Sequence, residues 1–104
     1  MIHILQGDGL TKNVSLDGNS LSPSKSQEVI NHSPDGFEWG YGGSGPAQLA
    51  LAVLLELVDK DLAVSQYQDF KWDYISKLPK DRNFKVKFDL ETDKDGMRIS
   101  LWNY

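Results

Sequence analysis

The sequence predicts an α+β protein in which an antiparallel sheet of N-terminal and C-terminal strands packs on a buried central helix, with a second, amphipathic helix alongside. Three observations carry this. Near the C-terminus, Phe84, Val86, Phe88 and Leu90 alternate with Lys85, Lys87 and Asp89, and Met97, Ile99 and Leu101 alternate with Arg98 and Ser100, the period of half-buried strands. A shorter run of the same kind, Ile2 to Gln6, stands at the other end. Between them, Pro46 to Val58 holds only Gln48 and Glu56 as polar side chains, and a helix that is apolar almost all round belongs inside the protein.

In chain order, Ile2 to Gln6 and Val14 to Leu16 form a first hairpin around Gly7-Asp8-Gly9, since glycine and aspartate supply turn geometry. Asp17 to Ser26, rich in Gly, Asn, Ser and Pro, reads as a loop, with a short extended piece at Gln27 to Ile30. Pro34-Asp35-Gly36 signals a turn, and Phe37-Glu38-Trp39 alternates as a strand does. The apolar helix starts with Pro46 in its first position. A second helix starts at Ser65, where Ser65 to Gln68 fits a capping box. Tyr67, Phe70, Tyr74 and Leu78 then make one apolar face, and Pro79 ends it. Glu91 to Gly96 joins the last two strands.

Composition narrows the class. The chain has 104 residues, 39% of them hydrophobic, enough for one domain over 1–104 with a packed core. Cysteine is absent, so disulfides, thiolate metal sites and cysteine nucleophiles are excluded. The first apolar run is too short for a signal peptide or a membrane span, and the expectation is a cytoplasmic protein. A formal net charge of −4 argues against nucleic acid as a partner.

The segment Gly36-Phe-Glu-Trp-Gly-Tyr-Gly-Gly-Ser-Gly-Pro-Ala-Gln-Leu-Ala-Leu-Ala52 is the most distinctive in the chain. It resembles the hallmark of an uncharacterised family, domain of unknown function 6166, carried by bacteria, archaea, their phages and plasmids. Asn31-His-Ser-Pro34 extends the resemblance upstream, and the two C-terminal strands share it more loosely. The resemblance implies occurrence on mobile elements and a role in phage–host conflict. It implies no catalytic residue.

Physically, Gly40, Gly42, Gly43 and Gly45 precede a helix whose first turn would present free N–H groups from Ala47, Gln48 and Leu49. With the positive end of the helix dipole there, this is anion-binding geometry. Tyr41, Gly42, Gly43, Ser44, Gly45 and Gln48 are therefore candidate ligand-binding residues, for an anionic small molecule such as a nucleotide. The glycines equally fit close packing of the chain onto a buried helix. Ser44 either caps the helix or donates to an anion. Trp39 is assigned to the core, and Tyr41 to either core or a stacking surface. Gly40 to Gly45 matches G-x-G-x-x-G, but a second helix follows where a parallel strand is needed. No Lys-Ser or Lys-Thr pair makes a P-loop, and Pro46 stands where a serine elbow needs glycine.

Other constellations point to structure. Asn31 to Gly36 reads as turn chemistry, with His32, Asp35 and Glu38 matching no metal spacing. Glu91 to Gly96 lacks the acidic residue a calcium loop needs further on, where Trp102 stands. Lys77, Lys80, Arg82, Lys85 and Lys87 form a mixed-charge surface interrupted by Asp81 and Asp89. Trp72 and Trp102 fall off the apolar registers of their elements, which makes them candidate interface residues for a partner protein or a second copy paired through the C-terminal strand. With no nucleophile–base pair, metal set or cofactor motif, the expectation is a non-catalytic binding protein. Its partner is an anionic small molecule, or alternatively a host protein whose defence complex it inhibits.

Overall fold

Residues 1–103 are described by a computed structural model of the chain. Strands β1 (Ile2–Gly7), β2 (Val14–Leu16) and β3 (Asn19–Leu21) open it. Helices α1 (Pro23–Val29), α2 (Ser44–Leu57) and α3 (Lys60–Asp73) follow, then a 3-10 turn at Ile75–Lys77 and strands β4 (Phe84–Asp93) and β5 (Gly96–Asn103). The strands form one antiparallel sheet in the order β3-β2-β1-β4-β5. β1 is therefore central and pairs with β4 from Ile2–Asp89 to Gly7–Phe84. This is the α+β architecture that the alternating ends and the apolar middle predict.

Alternation places Leu5, Val14, Leu16, Leu21, Phe84, Val86, Phe88 and Leu90 on one face of the sheet, buried against the helices. α2 is buried continuously from Gly45 to Leu54. α3 covers it with Ala63, Tyr67 and Phe70.

Several boundaries differ from expectation, each for a local reason. Asp17 to Ser26 is not a loop. Asp17 and Gly18, at φ 53° and 82°, are the two turn residues of a tight hairpin between β2 and β3, a geometry that requires positive φ at both. Ser22 then caps α1 by accepting from the Ser24 N–H, with Pro23 in the first turn. Gln27 to Val29 is thus helical rather than extended. Phe37 to Trp39 makes no strand; both aromatic side chains are instead buried as loop anchors.

α2 begins at Ser44, with Gly43 in the cap position and no side-chain cap, so Pro46 is the third helical residue and not the first. α3 begins at Lys60, where the Asp59 carboxylate accepts from the Leu62 N–H at 2.9 Å. Ser65 lies within the helix and donates to the Leu62 carbonyl, which removes the capping box.

β5 carries the largest departure from simple alternation. Its register with β4 shifts between Lys87 and Asp89, and Leu101 adopts φ 57°. This bulge turns Leu101 out to 72% exposure and Trp102 in. The Trp102 ring packs on Phe70, Tyr74 and Phe88 at centroid distances of 6.0, 4.7 and 5.2 Å. Trp102, off register by sequence, belongs to the core side because the backbone changes register one residue before it.

Candidate functional site

The glycine-rich segment packs closely against the rest of the protein. Trp39 anchors it: the ring is fully buried, packs edge-on against Phe84 at 4.9 Å, and donates from Nε1 to the carbonyls of Pro79 and Arg82 at 3.0 and 3.2 Å. Beside it, Glu38 Oε1 lies 3.0 Å from Lys12 Nζ, which also reaches Asp81 Oδ1 at 2.8 Å and sits 4.8 Å from the Trp39 ring centroid. Burial pulls the Lys12 ammonium downward, but Asp81 and Glu38 outweigh it and hold its pKa above the usual value. Glu38 therefore does not join His32 and Asp35, and no such triad forms. His32 instead places Nε2 2.7 Å from the Tyr67 hydroxyl.

The glycines mark close approaches. Gly40, at φ +86°, leaves room for Lys80, whose Cα would stand 2.6 Å from an added Cβ. Its N–H donates to the Ile75 carbonyl. At Gly42 an added Cβ would meet the Trp72 ring at 2.2 Å, at Gly43 the Tyr41 ring at 2.5 Å, and at Gly45 the Glu38 Cβ at 2.5 Å. Side chains of this protein fill the space that the glycines open.

Gln48, expected to face a ligand, is fully buried and bonded within the protein. Its Oε1 accepts from the N–H groups of His32 and Ser33, and its Nε2 donates to Ser26 Oγ and the Ile30 carbonyl. It clamps the loop after α1 onto α2. Ala47, expected to offer a free N–H, donates to the Gly43 carbonyl at 3.1 Å. Because the helix starts two residues early, the first-turn N–H groups are those of Ser44 and Gly45, Pro46 having none.

What remains accessible is a surface of two rings and a hydroxyl. Tyr41 is 40% exposed and Trp72 56%, and Ser44 is exposed. The rings rest on consecutive glycines, Trp72 on Gly42 and Tyr41 on Gly43. Lys80 Nζ lies 5.6 Å from the Tyr41 centroid and Lys71 Nζ 4.3 Å from that of Trp72.

Lys71 is the residue that sequence reasoning missed. It is only 7% exposed, and its ammonium makes no ion pair with a carboxylate among the described residues. The available signal was spacing: Lys71 is four residues after Tyr67, on the helix's buried stripe. The two expected interface tryptophans do not come together, because Trp102 packs into the Phe70–Tyr74–Phe88 cluster while Trp72 stands on the glycine segment.

Glu38, Trp39, the glycines and Gln48 of the hallmark run thus have structural partners, and a family model covers the run. The chain belongs to DUF6166, a family of unknown function. The match takes in residues 6–93, from β1 to the end of β4, and leaves the β5 bulge and Trp102 outside. No curated protein and no solved structure matches this DUF6166 chain. None of its helices, among the described residues, is long and apolar enough to cross a membrane.

Proposed function

We propose that this DUF6166 protein is a non-catalytic binding module that docks a partner protein through Tyr41 and Trp72. The observation that carries the reading is the seating of two exposed rings on the consecutive glycines 42 and 43, in a segment anchored by the buried Trp39. Tyrosine and tryptophan bury large areas with few rotatable bonds, and such residues dominate binding energies at protein interfaces. A rigid seat lowers the ordering cost on association. The resemblance to a family of mobile elements makes a host protein, and inhibition of a host defence complex, the natural setting.

Lys71 favours a second reading, an anionic small molecule such as a nucleotide at the start of α2. Lys71 buries its stem, carries its ammonium over the Trp72 ring and pairs with no carboxylate among the described residues, so this cation would be available to a phosphate.

The two are separated by capturing partners with a photocrosslinker placed at Tyr41, then measuring the affinity of the purified pair. Trp72→Ala is expected to weaken that pair by 2 kcal/mol or more, on the order of thirtyfold. An unchanged affinity in Trp72→Ala rejects the docking surface. A thermal shift with a nucleotide that Lys71→Met abolishes would install the second reading in its place.

A further inference from the structure

The helices cover one face of the sheet, and the other face carries an ordered polar feature. Strand register sets Ser20 opposite Ser15, Ser15 opposite Gln6, and Gln6 opposite Lys85. Four polar side chains from β3, β2, β1 and β4 thus stand in one row. Their neighbours along each strand, Leu21, Leu16, Leu5 and Val86, are buried, so the row points away from the core. At roughly 4.8 Å per strand it is about 14 Å long. It floors an open cleft of about 680 Å³ whose rim includes Asp8, Asn13, Gly18 and Asn83.

The floor is uncommitted while the rim is fixed. Among the described residues, none of the four side chains in the row makes a hydrogen bond or ion pair. On the rim, Asp8 Oδ1 accepts from the Leu10 and Thr11 N–H groups, and Asn83 Oδ1 accepts from the Gly9 N–H at 2.8 Å. Gly9 is itself wedged against the Arg82 backbone. Gly18 has open space where a side chain would stand, so the hairpin turn does not close that end.

The chemistry of the row selects its ligand. It presents two hydroxyls, a carboxamide and, at one end, an ammonium, all able to donate and all but Lys85 able to accept. Asp8 Oδ1 in the lining is engaged by backbone amides, and Lys85 is the cation of the lining. Phe84, the aromatic in the lining, is buried, so a base has no exposed ring to stack on. We infer that this cleft binds a hydroxyl-rich small molecule with one acidic group, of the sugar phosphate class, its anion at Lys85 and its hydroxyls along Gln6, Ser15 and Ser20. The site shares no residue with the Tyr41–Trp72 surface and stands independently of it.

The test is a titration of the isotope-labelled full chain with glucose 6-phosphate, followed by amide chemical shifts, with glucose and inorganic phosphate as separate arms. The expected result is saturable change centred on Gln6, Ser15, Ser20 and Lys85, with glucose and phosphate each binding more weakly than the combined ligand. Lys85→Met, at an exposed position, should weaken binding about tenfold, and Ser15→Val should weaken it further while leaving distant amides unmoved. The inference is overturned if glucose 6-phosphate gives no saturable change, if the changes centre elsewhere, or if Lys85→Met binds as well as wild type. Phosphate alone matching glucose 6-phosphate overturns it too, because the hydroxyl row would then play no part.

Discussion

The Trp72 indole occupies the space of a side chain at Gly42, where an added Cβ would stand 2.2 Å from the ring. Because the ring is more than half exposed, Gly42→Ala can push it outward at modest cost. We expect a loss of about 1 kcal/mol or less in urea unfolding, together with a fall in partner affinity approaching that of Trp72→Ala.

Gly40→Ala should behave differently. Its φ of +86° disfavours any side chain, and an added Cβ meets the Lys80 backbone rather than a movable ring. A loss of roughly 2–4 kcal/mol is expected in the same urea experiment. Equal stability for the two alanine variants would show that the seat beneath the rings is not rigid.

Gln48→Leu tests the clamp. The leucine is close in size but strands the His32 and Ser33 N–H groups and the Ile30 carbonyl, which Gln48 now satisfies. With three partly buried polar groups left unpaired, a cost of about 3–5 kcal/mol is expected. Hydrogen exchange should rise at His32 and Ser33 first.

The β5 bulge makes a paired prediction. Leu101→Gly relieves a non-glycine residue at φ 57° while removing little buried surface, and should stabilise by about 0.5–1 kcal/mol. Trp102→Ala empties the cluster beside Phe70, Tyr74 and Phe88, and should cost about 2–3 kcal/mol. Calorimetric melting of the two variants checks both signs.

Acid should destabilise the protein through Asp17 and Asp81. Burial raises the Asp17 pKa, but the His3 hydrogen bond and the Ile4 N–H outweigh it, and the net shift is down from 3.8. For Asp81 the Lys12 hydrogen bond leads, and the shift is again downward from 3.8. With folded values below unfolded ones, the unfolded chain binds more protons in that interval. The stabilisation is present above pH 3.8 and is lost as pH falls through the folded values. Asp17→Asn should flatten the acid limb of stability against pH, and an unaltered limb would count against the His3–Asp17 pair.

Much of this was legible in the sequence, and the exceptions have identifiable causes. Alternation marked β4, the start of β1 and most of β5, since one face of each strand is buried. The hairpin at Asp17-Gly18 and the cap-and-proline pair Ser22-Pro23 carried their signals openly, but a polar composition masked them as loop. Asp59 before Lys60 was an equally good cap signal, overridden by the better-spaced Ser65–Gln68. Of the surface at α2, Tyr41, the glycines, Ser44 and Trp72 were visible by residue type. Lys71 and Lys12 were not, because a lysine's burial depends on which neighbours reach it.

By itself the sequence determined the α+β class, the buried central helix and the location of the distinctive segment, because hydrophobic periodicity is a local property of the chain. Only the tertiary structure decided that Gly42 and Gly43 seat rings from α3 and their own loop, that Gln48 faces inward, and that Trp102 turns into the core. It also aligned Ser20, Ser15, Gln6 and Lys85. Apart from Tyr41 on Gly43, those are relations between residues of different elements, set by strand register and helix packing, and no local pattern encodes them.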